Sequence, residues 1–180
     1  MSKRTNYPLV EAYVDGGCHP NPGPGACAAI MFHKGRSKEF SRQFNQVVTN
    51  NEMEMQAAIL ALKQLKTQCE IHIYTDSQYL YKGMTVWIQQ WKQNRWRLAN
   101  NKPVANLELW LLLQKLAKEH EVYWHWVRGH NGNPYNERAH DLVQKTMGGL
   151  TEAARKQKLV DKRFDEHYKD WANWPWELQS

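Results

Sequence analysis

Hydrophobic and polar positions along the 180-residue chain alternate with two different periods, and the switches between them mark out the elements. Leu9 to Asp15 is strand-like, Asn21-Pro22-Gly23-Pro24-Gly25 breaks the chain, and Ala26 to Phe32 resumes a second apolar run, so this stretch predicts a hairpin with a wide turn. Glu39 to Phe44 supplies a third strand, with Phe40 and Phe44 on one face and Arg42 beside them if that face is partly wet. Thr49, Asn50 or Asn51 can then cap a helix in which Met53, Ala57, Leu60, Ala61 and Leu65 form one apolar stripe.

Ile71 to Thr75 is a short β-branched and aromatic run, and its place after a helix predicts a parallel crossover back into the sheet. Helices are expected over Thr85 to Gln93 and Asn106 to His120, then a strand in which Val122, Trp124 and Trp126 alternate, then a helix over Asn136 to Met147. The order of three strands, helix, strand, helices, strand, helix is that of an α/β domain. Gly148-Gly149 marks its expected end. Residues 148–180 form a tail with balanced charge and three tryptophans, Trp171, Trp174 and Trp176, expected to dock on the domain or, as the alternative, to anchor a partner.

Composition narrows the picture. Hydrophobic residues at 42% and charged residues at 23% fit a folded globular chain and exclude wholesale disorder. No apolar stretch reaches the length of a membrane span, and Met1 to Pro8 lacks the apolar core of a signal peptide. Three scattered cysteines, Cys18, Cys27 and Cys69, make neither a disulfide framework nor a Cys-x-x-Cys zinc site, so a reducing, cytoplasmic setting is expected. A formal net charge of +6 favours a polyanionic partner.

Three carboxylates carry the chemistry. Asp15 and Asp76 stand at the polar ends of apolar runs, where strands finish, and Glu54 opens the first helix beside its apolar stripe. Oxygen-rich clusters suit hard divalent cations such as Mg²⁺, and two such ions about 4 Å apart serve in-line displacement at a phosphodiester. A metal-dependent nuclease is therefore expected, whereas Glu52 is expected to be merely solvated. From Ser77 to Leu107 there are five basic residues (Lys82, Lys92, Arg95, Arg97, Lys102), no Asp or Glu, and three interleaved tryptophans, Trp87, Trp91 and Trp96. That is the footprint expected for a phosphate backbone, although Trp87 and Trp91, four residues apart, also suit partial burial.

Val-Asp-Gly-Gly-Cys with Asn-Pro-Gly-Pro-Gly, Thr-Asn-Asn-Glu-Met-Glu-Met-Gln-Ala-Ala, Tyr-Thr-Asp-Ser-Gln-Tyr and Trp-Val-Arg-Gly-His-Asn-Gly-Asn-Pro-Tyr-Asn-Glu-Arg-Ala closely resemble type 1 ribonuclease H of the cellular bacterial form, over roughly residues 8 to 147. The resemblance implies a ribonuclease H-like fold, a five-stranded mixed sheet with helices on both faces, in a catalytic domain of residues 1–147. It implies an endonuclease that cuts the RNA strand of RNA/DNA hybrids by two metal ions, leaving 5′-phosphate and 3′-hydroxyl ends. Asp15, Glu54 and Asp76 match the family's metal-holding acids. His130 matches a loop histidine that helps proton transfer or product release. Residues 82–102 resemble the family's basic protrusion, with Trp87, Lys92, Arg95, Trp96 and Arg97 toward the DNA strand, and Asn21, Thr49, Asn50 and Gln78 match positions that contact the hybrid.

The chain departs from the family at the fourth acidic position. Ungapped alignment puts His140 there, with Asp141 one residue later; a slip by one would turn Leu142 and Val143 off the core, because each residue rotates a helix by about 100°. His140 is thus expected to face the site, with Mn²⁺ possible or preferred over Mg²⁺, because imidazole is a poorer Mg²⁺ ligand than carboxylate. A monomer acting on RNA/DNA hybrid, with no membrane partner, is expected. The alternatives are a hybrid-binding module with catalysis weakened or lost through His140, and a related two-metal DNA nuclease.

Overall fold

The computed structural model describes residues 7–129 and 132–153, with side chains as far as 148. Its sheet has the strand order β3-β2-β1-β4-β5, made of β1 (Leu9–Cys18), β2 (Gly23–His33), β3 (Arg36–Val48), β4 (Glu70–Thr75) and β5 (Glu121–Trp126). The first three strands are antiparallel, while β4 pairs parallel with both β1 and β5, which is the crossover expected after the first helix. Alternation along β1 divides the two faces. Val10, Ala12 and Val14 join the main core, and Tyr13 joins a second cluster on the opposite side.

Helix α1 (Asn50–Lys63) crosses the main-core face, with α4 (Leu107–Ala117) packed on its outer side. Being covered by both, α1 buries Met53, Met55, Ala57, Ala58, Ile59, Ala61 and Leu62, a wider arc than the single stripe expected from its sequence. Its alanines permit close approach to the sheet, and each large side chain fully buried there contributes about 1.5–3 kcal/mol. On the other face α5 (Pro134–Ala153) packs chiefly on β1 and β2, with Ala139 and Val143 buried. Helices therefore cover both faces, as the resemblance implies. Helix α5 continues through Gly148 and Gly149 to Ala153, so the glycine pair does not end the helix. Its hydrogen-bonded ladder tolerates glycine at about 1 kcal/mol each. The tail tryptophans lie outside the described residues.

The segment after β4 differs from expectation in an instructive way. Instead of a helix beginning at Thr85, α2 (Gln78–Lys82), a π-helical turn (Gly83–Trp87) and α3 (Ile88–Gln93) follow without a break. The cause lies in α4, where the fully buried Trp110 ring packs onto Gly83 so closely that a Cβ there would stand 2.0 Å from a ring carbon. The widened turn accommodates that contact. Beyond α3 the chain folds back on itself. Leu98 N donates to Lys102 O at 2.8 Å, Val104 N donates to Trp96 O at 3.0 Å, and Arg97 bridges to Pro103. Trp91 and Trp96 pack against the main core, and Trp91 lies 5.2 Å from Trp110, so these tryptophans fasten the basic arm to the domain.

Gly83→Ala places a methyl inside the Trp110 ring. Overpacking of this kind costs about 1–3 kcal/mol. Urea unfolding should show a lower midpoint with unchanged slope.

Candidate active site

Strand pairing brings the two aspartates together. In the parallel pair of β1 with β4, Tyr13 stands beside Tyr74, so Asp15 and Asp76, each two residues further on, leave the same sheet face at neighbouring strands. Glu54 arrives from α1 through a close backbone approach at Gly16. A Cβ on Gly16 would lie 2.2 Å from the carbonyl carbon of Met53 and 2.5 Å from the amide nitrogen of Glu54. No other residue permits that approach. One carboxylate oxygen from each of Asp15, Glu54 and Asp76 falls within 4.8 Å of the others.

The first turn of α1 is fixed by a capping box rather than by solvent. Glu52 N donates to Thr49 Oγ1 at 3.2 Å, and Thr49 N donates to Glu52 Oε2 at 2.6 Å. Glu52, expected to be merely solvated, is therefore a structural acid that orients Glu54 two residues later. Asn50 Oδ1 accepts from Cys18 N at 2.9 Å, and Asn50 N donates to Asn21 Oδ1 at 3.2 Å. Thus Asn21, Thr49 and Asn50 gather where the β1–β2 turn meets the start of α1, with Asn21 and Asn50 exposed.

His140 does face the site. Its Nδ1 lies 3.0 Å from Asp15 Oδ2, whereas Asp141 is exposed. Val143 is buried against Ala26 and Ala28, so the helix phase that turns His140 inward is the one that seats this core residue. Asp76 is held by groups that sequence reasoning did not single out. Asn136 Nδ2 donates to its Oδ2 at 3.2 Å, Trp126 Nε1 donates to its carbonyl at 3.1 Å, and Gly129 lies so near that a Cβ would stand 2.6 Å from Oδ2. Asn136 is buried, and its position in Pro-Tyr-Asn-Glu-Arg was the available signal.

The basic arm is a separate group. Lys92, Arg95 and Arg97 are exposed, and Trp87 and Trp96 are half-buried. Arg97 Nη1 donates to Asn101 O at 2.8 Å, and Trp87 and Trp91 rings lie 5.7 Å apart, so part of this set shapes the arm itself. Gln78 is exposed in the first turn of α2, two residues after Asp76. His130 lies outside the described residues.

Burial, then the neighbouring Asp76 charge, raises the Asp15 carboxyl above its ordinary range, although His140 pulls it back. Burial drives Glu54 well above its ordinary range, and Asp15 and Asp76 reinforce the effect. Glu54 Oε2 is buried without a hydrogen-bond partner among the described residues. A buried orphan oxygen facing two further carboxylates is what a hard cation would satisfy, so the donor set fits Mg²⁺ or Mn²⁺.

The sign of the pH effect follows. Carboxyls whose pKa is raised on folding bind protons more tightly in the native state, so metal-free stability falls as pH rises from the ordinary carboxylate range through the raised values. Thermal unfolding without divalent ions should show that decline, and added Mg²⁺ should reverse it at neutral pH. Glu54→Gln should flatten the decline and stabilise the metal-free protein.

A family model described as RNase H matches residues 8–147. Ribonuclease H of Bradyrhizobium diazoefficiens is 46% identical over 157 residues, covering 87% of this chain and 99% of that protein. Ribonuclease H of Brucella ovis is 48% identical over 138 residues, covering 77% of this chain and 89% of that protein. Among solved structures, LC9-RNase H1, described as a type 1 RNase H with the type 2 active-site motif, superposes with a TM-score of 0.72 at 28% identity, over 81% of this chain and 74% of that one.

Proposed function

This chain belongs to the RNase H family, and we propose that it hydrolyses the RNA strand of RNA/DNA hybrids with two divalent cations, releasing 5′-phosphate and 3′-hydroxyl ends. The observation that carries this is the convergence of Asp15, Glu54 and Asp76, brought from β1, α1 and the end of β4 to within 4.8 Å. When bound, the cations supply an activated water and charge stabilisation for the leaving 3′-oxygen. Asp15 would hold both, with Glu54 and Asp76 completing their ligand sets. Asn136 and Gly129 hold the Asp76 carboxylate in place, and the Gly16 approach does the same for Glu54. Asn21, Thr49, Asn50 and Gln78 supply amide and hydroxyl groups for minor-groove edges and 2′-hydroxyls. Lys92, Arg95 and Arg97 on the arm supply phosphate contacts to the DNA strand. His130 is assigned to proton transfer or product release on the resemblance alone. Three buried free thiols suit the cytoplasm as the place of action.

His140 sets the metal preference. Its imidazole stands where the family resemblance places a fourth acid, and its 3.0 Å approach to Asp15 supports a place beside the acidic cluster, whose three mutually close donors are Asp15, Glu54 and Asp76. A nitrogen donor there favours Mn²⁺ over Mg²⁺ relative to a carboxylate. His140→Asp should raise Mg²⁺-dependent cleavage, and His140→Ala should weaken metal affinity measured by calorimetry; a fall in the first or no change in the second would remove the assignment.

Cleavage of matched RNA/DNA, double-stranded RNA and double-stranded DNA, each with Mg²⁺ and with Mn²⁺, tests the reaction. Only the hybrid should be cut. Asp76→Asn should abolish cutting while hybrid binding persists. Replacing Lys92 or Arg95 by Ala should weaken binding and reduce the salt slope by about 1 for each phosphate no longer neutralised. Hybrid left whole under every ion would sink the proposal.

A further inference from the structure

Helix α5 covers chiefly β1 and β2, and the same sheet face continues over β4 and β5 as a row of stacked rings. Tyr13 stacks on Tyr74 at 4.5 Å, Tyr74 on His125 at 4.6 Å, His125 on His72 at 5.0 Å, and His72 on Tyr123 at 4.8 Å. The register explains the row. Tyr74 pairs with His125 and His72 pairs with Tyr123, so the two imidazoles are diagonal neighbours on adjacent strands. Most of this row is a packing device, but its imidazole step carries more than packing.

His72 Nδ1 lies 2.8 Å from His125 Nε2, and His72 Nε2 lies 3.2 Å from Glu70 Oε1. The carboxylate accepts the Nε2 proton of His72, which fixes the tautomer and leaves the Nδ1 lone pair directed at His125. A metal-ligating histidine is oriented in just this way by a carboxylate on its remote nitrogen. Burial and the adjacent His72 hold His125 below the usual histidine range, which favours its neutral ring; in the hydrogen bond to His72 its Nε2 carries the proton. Side-chain exposures are 25% for His72 and 30% for Glu70, and His125 is half-buried, so the imidazole pair reaches solvent. The surroundings are negative: Glu70 and Glu121 flank it on the strands, and Glu11 acts electrostatically on His125.

We infer that His72 Nδ1 and His125 Nε2 form a second metal site, separate from the carboxylate cluster, for a borderline divalent ion of the Zn²⁺, Ni²⁺ and Cu²⁺ group. Imidazole nitrogens suit these ions, whereas Mg²⁺ prefers oxygen. On binding, the His125 proton moves from Nε2, where it lies in the hydrogen bond to His72, to Nδ1, so no net proton is released from the pair. Two nitrogens each about 2.0–2.1 Å from one tetrahedral ion stand roughly 3.3 Å apart, so on binding the pair widens from 2.8 Å and both rings turn until their lone pairs, which face each other along the hydrogen bond, converge on the ion. Water fills the remaining positions.

The test uses the full chain in excess Mg²⁺, which occupies the carboxylate cluster. Calorimetry with Ni²⁺ should show a site that His72→Phe and His125→Phe each remove, and the electron paramagnetic resonance spectrum of added Cu²⁺ should show coupling to two imidazole nitrogens that is absent in either variant. Phenylalanine retains a stacking ring, so the fold is expected to survive, and hybrid cleavage with Mg²⁺ should be unchanged. Glu70→Gln should weaken Ni²⁺ binding about 10–100-fold. Unchanged stoichiometry in both phenylalanine variants, or a wild-type Cu²⁺ spectrum without two-nitrogen coupling, would overturn the inference.

Discussion

The close approach of β1 to the first turn of α1 at Gly16 is the constraint on which the site depends, because it forces Glu54 against Asp15 and Asp76. Two carboxylate oxygens no more than 4.8 Å apart repel by at least about 3 kcal/mol at an effective dielectric of 20. Three such pairs approach the total stability of an ordinary domain, about 5–15 kcal/mol. The cluster therefore cannot carry three full charges unaided. It takes up protons or cations, and the raised carboxyls of Asp15 and Glu54 express the first of these outcomes. The fold stores an affinity for positive charge at the point where a phosphodiester would be cut.

His140 modifies that balance from the opposite face. A fourth carboxylate would add repulsion to Asp15, whereas the imidazole gives it a hydrogen bond and lowers its carboxyl. The imidazole makes the metal-free cluster less strained, and on the proposed reading it weakens the hold on a second hard cation. Both consequences come from one side chain on α5, whose phase is set by the burial of Ala139 and Val143.

The chain order of strands and helices and the clustering of the acids were legible because they rest on local period and on polar residues at strand ends. The parallel placement of β4 followed from the helix before it, and Asp15 and Asp76 then had to meet. The phase of α5 was legible as well, since Val143 could be buried in only one of the two alignments. Glu52 was legible and misjudged: Thr49-Asn-Asn-Glu52 is the sequence signature of a capping box. The π-helical turn was not legible, since it answers to Trp110, 27 positions beyond Gly83 in the chain. The imidazole pair was hidden for a similar reason, because a diagonal neighbour across two strands exists only once the register is known. Asn136 lay inside a quoted motif, but its service to Asp76 needed the loop geometry.

The Trp110 ring seated on Gly83 gives the basic arm a fixed mounting. An arm joined to the domain by loose loops would grip polyanions of many widths, accommodating each by swinging. Here the indole projects from α4 onto the root of the arm, with the Trp91 ring 5.2 Å away and Trp96 packed against the main core. The span from the arm's cations to the carboxylates is thereby a property of the hydrophobic core. On the proposed reading it acts as a caliper, and a change in core volume beneath it would shift which duplex diameter fits, without touching any residue assigned to the nucleic acid.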